Sequence, residues 1–87
     1  MKVLMKKVET ISYFPDKGYP QPLRFRIKDE NDKTFVVKLD QVNYIREDKK
    51  AGNLILVYDC QAHVHGRLRL LQLIYDLATW SWYLFKM

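Results

Sequence analysis

RLRLLQLIY, residues Arg67 to Tyr75, is the stretch on which the fold turns. At two residues per repeat it sets Leu68, Leu70 and Ile74 on one side of a strand and Leu71, Leu73 and Tyr75 on the other. A helix here would dissolve that division. The neighbouring segments alternate in the same way, so the strand is the expectation. Because both of its faces are apolar, one must meet a barrel interior and the other a covering segment or a second subunit.

The same doubled pattern follows in TWSWYLFKM (79–87), where Trp80, Trp82 and Leu84 oppose Tyr83 and Phe85. DLAT (76–79) supplies the turn between the two strands. This C-terminal hairpin is expected to close a barrel and to carry an apolar outer face. Leu71, Leu73, Tyr75, Tyr83 and Phe85 are the expected contacts of a twofold homodimer.

Upstream, Leu54, Leu56, Tyr58 and Cys60 share one face and Ile55 and Val57 the other, after which QAHVHG turns the chain. In PLRFRIK (22–28) the rhythm is cleanest: Leu23, Phe25 and Ile27 point inward, and Arg24, Arg26 and Lys28 outward. DENDKT closes a hairpin to a strand with Phe35, Val37 and Leu39 inward and Val36 and Lys38 outward. VNYIREDKKAG (42–52) reads either as a short strand over Val42 to Ile45 followed by a charged loop, or as a short helix capped by Gly52. The strand fits the surrounding rhythm better. YFPDKGYPQP (13–22) is a loop, since its three prolines cannot sit in a helix or a central strand. Ahead of it, Val3, Met5, Val8 and Ile11 change phase, which calls for a β-bulge near Lys6 and Lys7.

These segments give an all-β fold within a single domain spanning 1–87. The expected architecture is a small, partly open antiparallel barrel of six or seven short strands, Src-homology-like, with the oligonucleotide-binding barrel as the alternative. Of the 87 residues 48% are hydrophobic, too many for a disordered chain. A lone cysteine excludes an internal disulfide, and MKVLMKKVET lacks the apolar run of a secretory signal. A cytoplasmic location is expected. No apolar tract approaches the roughly 20 residues that span a bilayer, so no membrane partner is expected.

The net charge of +5 is spread unevenly, with seven Lys and Arg against four acids in the first thirty residues. A positive face would bind nucleic acid. Arg24, Arg26 and Lys28 form one stripe and Arg67 and Arg69 another, with Tyr13 and Tyr19 in or near loops where a base could stack. Whether the stripes meet decides between a groove and scattered solubilising charge.

Cys60, His63 and His65 have the ligand types of a zinc site, with Asp59, Asp76 or water as the fourth ligand. The competing description is a buried cysteine beside two solvent-facing histidines on a hairpin. No second ligand pair is present, and no nucleophile, base and orienting acid converge. The domain is therefore expected to bind rather than catalyse, without a cofactor.

The segments PLRFR, VVKLDQV, KKAGNLILVYDCQA and LIYDLATWSWYL together resemble small all-β proteins of Firmicute bacteria that have no assigned role. The resemblance implies a fold and carries no functional residue.

Overall fold

Alternating apolar residues form six strands: β1 (Val3–Tyr13), β2 (Gln21–Lys28), β3 (Thr34–Lys50), β4 (Asn53–Val64), β5 (Arg67–Asp76) and β6 (Ser81–Lys86). They are seen in a computed structural model that describes residues 1–87. Each strand pairs antiparallel with the next, and β6 returns to β1, so the barrel is closed rather than partly open. It contains no helix, and therefore none long and apolar enough to cross a membrane.

Turn chemistry sets the pairing of consecutive strands. Ala51-Gly52 and His65-Gly66 are two-residue connections in which both residues have positive φ, the backbone twist that suits a tight hairpin. Gly52 thus turns a hairpin instead of capping a helix. The strand expected over Val42 to Ile45 is present, and the charged residues after it continue β3 through Lys50 instead of forming a loop, so only Ala51 and Gly52 turn. Between β2 and β3, Asp29 Oδ1 accepts hydrogen bonds from the backbone N–H groups of Asn31 and Lys33 at 2.8 and 2.9 Å.

Bulges close the barrel. β3 is 17 residues long and pairs first with β2, through Thr34 to Lys38, and then with β4, through Leu39 to Lys50. Its register slips around Asp40 and around Asn43, and each extra residue bends and twists the strand toward its second partner. In β1 the irregularity falls between Val3 and Lys6, with Met5 at a φ of 47°. That is one residue before the expected bulge, and it brings Leu4 rather than Val3 against the core.

Another slip, opposite Ile11 and Ser12, leaves Leu23 unpaired between Pro22 and Arg24. Leu23 is 46% exposed as a result, while Phe25 is 1% exposed. Ile11, on the same stretch, also faces water.

The interior holds Val8, Phe25, Ile27 and Val37 together with Leu56, Tyr58, Cys60, Leu71, Leu73, Tyr75, Trp82 and Leu84. The sequence division of β5 into two faces is correct, but the inner face is the one expected outside. Cys60 pairs with Leu71, Tyr58 with Leu73 and Leu56 with Tyr75, so these three β5 side chains fill the barrel and cannot form a dimer interface. On the outer side, Ile55, Val57 and Ile74 make a small second cluster that Met5, Tyr83 and Phe85 cover. Tyr83 and Phe85 are half-buried there, occupied in covering their own barrel.

Candidate functional site

The closed strand order answers whether the two arginine stripes meet. β5 lies three strands from β2 in either direction around the barrel. Arg67 and Arg69 are therefore three strands removed from Arg24, Arg26 and Lys28, and no cleft is lined by both stripes.

Positive charge gathers instead around β1, β2 and β3. Arg24 sits directly opposite Lys38 across the β2–β3 pair, and neither has an acidic partner within salt-bridge reach. Arg26 Nη2 donates to both oxygens of Glu9, at 2.7 and 2.8 Å. Lys28 Nζ is 3.6 Å from Asp32. Both pairs are exposed, where such bridges stabilise little.

Two shallow clefts follow this face. One, of about 340 Å³, is lined by Ile11, Arg24 and Val36 with Glu9 and Arg26. The other, of about 570 Å³, adds Lys6, Lys7, Lys28 and Thr34 to the same Glu9 and Arg26. The two clefts share Glu9 and Arg26, and their linings together hold five cations and one carboxylate, Glu9.

Alternation within single strands does not single out Lys6, Lys7 and Lys38 as site residues. The surplus of cations in the first thirty residues is the available signal for the first two. Their position follows from strand pairing: β2 pairs with β1 only through Glu9 to Tyr13, so the first half of β1 stands apart from β2 and leaves the second cleft between them.

Of the aromatic candidates, Tyr13 is exposed at the end of β1, two residues beyond Ile11, which pairs with Arg24. Period two places it on the same outer face as the arginine. Tyr19 is occupied elsewhere. Its hydroxyl donates to Glu47 Oε2, and that bond, followed by burial and the charge of Glu47, raises the phenol above its ordinary value.

The candidate zinc ligands do not converge. Cys60 points into the core, and His63, an odd number of residues along β4, points outward, with Nδ1 2.6 Å from Asp40 Oδ2. His65 lies in the turn with its ring 5.4 Å from that of Phe35. No three His, Cys, Asp or Glu side chains lie close enough to hold a metal ion.

Burial, with a smaller contribution from Asp59, pushes the Cys60 thiol from 9.0 up to about 12. Burial also raises Tyr58, whose hydroxyl donates to the Pro20 carbonyl at 2.6 Å. In both cases the unfolded chain loses the proton first. Their contribution to stability is therefore complete below the unfolded values and disappears as pH rises through the folded ones. The urea midpoint is expected to hold from neutral pH to about pH 9 and to fall between about pH 9 and 12. A midpoint unchanged to pH 12 would contradict this burial. Cys60 should likewise resist iodoacetamide in the native protein and react once urea unfolds it.

No protein-family model, curated protein or solved structure matches this chain.

Proposed function

We propose that this is a non-catalytic domain that binds nucleic acid along the outer face of β1, β2 and β3. The observation that carries the reading is the facing pair Arg24 and Lys38, both without an acidic partner. Like charges placed opposite each other across a sheet repel, and a polyphosphate in the adjoining groove removes the repulsion. Lys6, Lys7 and Lys28 extend the same positive path, and Tyr13 offers an exposed ring beside it. Arg67 and Arg69 have no part in it. A cytoplasmic location is part of the proposal, supported by the one cysteine being a buried free thiol.

Fluorescence anisotropy with random single-stranded and duplex DNA and RNA at several salt concentrations tests it. Affinity is expected to fall steeply and linearly on a double-logarithmic plot as salt rises. Absent or salt-independent binding would remove the proposal.

A homodimer is the second reading, resting on residues other than those expected from the sequence. β6 reaches along β5 only as far as Gln72, so Arg67 to Leu71 present an unpaired strand edge. Leu68 and Leu70 are 56% and 59% exposed there. A twofold axis at Leu70 would pair that residue with its copy without setting arginine against arginine. Sedimentation at low micromolar concentration is expected to give twice the 10.5 kDa chain mass. A clean 10.5 kDa species would eliminate the dimer.

A further inference from the structure

β1 divides its neighbours. Its first half, to Val8, pairs with β6, and its second half, from Glu9, pairs with β2. Each half consequently leaves a seam in the barrel wall on its other side. The seam beside the first half is the basic cleft. The seam beside the second half opens between β1 and the β5–β6 hairpin, and its character is different.

That second seam is a cleft of about 590 Å³ lined by Thr10, Ser12, Phe14, Tyr75, Trp80 and Trp82. Tyr75 stacks at a tilt on Trp82, with centroids 4.7 Å apart, and Phe14 meets Tyr75 edge-on at 6.1 Å. Trp80 stands at the rim, 80% exposed, with a φ of 55°. A bulky residue is disfavoured in that left-handed conformation, and Trp80 gains little packing in exchange. On the β1 side, Thr10 Oγ1 and Ser12 Oγ are buried without any hydrogen-bond partner, an unfavourable state for a hydroxyl. The cleft thus combines a free aromatic face with unused hydrogen-bonding capacity. Thr10 also lines the groove that holds Arg24 and Arg26, so the aromatic and basic regions flank the same strand, β1.

We infer that this cleft receives one unstacked nucleobase of a single strand, its ring against the Trp80 indole and its polar edge toward Thr10 and Ser12. The inference rests on the nucleic-acid reading and deepens it. It makes the ligand a single strand, because a base held in a duplex cannot present its ring to a side chain. The positive groove holds the phosphates while the cleft takes the base, a division of labour typical of single-strand binding.

The test compares two labelled probes of equal length by anisotropy: an oligothymidylate and an abasic deoxyribose-phosphate strand. The wild-type protein is expected to bind the oligothymidylate about tenfold more tightly, the effect of one stacked base. Trp80→Ala should abolish that preference and leave abasic binding unchanged. Because Trp80 is exposed, the variant should keep its urea midpoint, and Phe14→Ala gives a second, independent removal of the ring surface. Equal binding of both probes by the wild-type protein would overturn the base site while leaving the groove standing. Binding of neither probe would overturn both.

Discussion

Phe25→Ala is expected to destabilise the domain by about 3 to 5 kcal/mol, and Leu23→Ala by no more than about 0.5 kcal/mol. The two residues are neighbours in one alternating run and carry similar apolar bulk, so period two alone gives them equal weight. The bulge opposite Ile11 and Ser12 separates them. Phe25 meets the core from the middle of β2, and its removal leaves a cavity walled by strands that cannot collapse around it. Leu23 is 46% exposed and has no place in the core cluster. Small domains have only about 5 to 15 kcal/mol of net stability, so the first substitution should leave the protein close to its unfolding transition at room temperature. Urea melts of both variants measure this directly. Equal losses would mean that β2 pairs without the slip and that Leu23 is inside.

The second large effect concerns charge. Replacing Lys6, Lys7, Arg24 and Lys28 together by alanine is expected to make the log–log salt slope of single-strand binding shallower by about 3, at roughly 0.7 for each phosphate no longer neutralised. Replacing Arg67 and Arg69 should leave the slope unchanged. Arg67 and Arg69 lie on β5, three strands from β2 around the barrel, and the experiment separates the two sets by position. All the affected side chains are exposed and away from the core, so urea midpoints should stay close to wild type. If the Arg67 and Arg69 variant lost the salt dependence and the other kept it, the groove along β1 and β2 would be the wrong surface.

The strands themselves were legible because apolar residues at every second position announce them, most clearly at Phe25 and Ile27 and at Phe35, Val37 and Leu39. Residues 67–75 also divide into the two faces that the alternation assigns. Which face looks inward was not legible, since leucines occupy both. The answer lies in the register with β4, where Leu56, Tyr58 and Cys60 take the interior and carry their β5 partners with them. Bulges at Leu23, Asp40 and Asn43 were equally hidden, because they answer to the curvature of a closed sheet rather than to any local preference. Of the candidate site, Arg24, Arg26 and Lys28 were visible as a stripe. That Lys6 and Lys7 join them, and that Arg67 and Arg69 do not, depends on which strands become neighbours, a property of the whole chain.

The split allegiance of β1 also orders events in time. On the ribosome its second half can find β2 as soon as that strand emerges, but Val8 must wait for Trp82 and Lys6 for Leu84. Until then the amino-terminal strand is half docked, with Leu4 and Val8 still hydrated, so final closure is a long-range step that should dominate the refolding rate. Joining the ends is correspondingly easy once folded, since Lys2 and Met87 exchange two backbone hydrogen bonds of 3.1 Å. A circular permutant reopened at the Asn31 turn would turn that encounter into a local hairpin and pass the long-range closure to the pairing of β2 with β3.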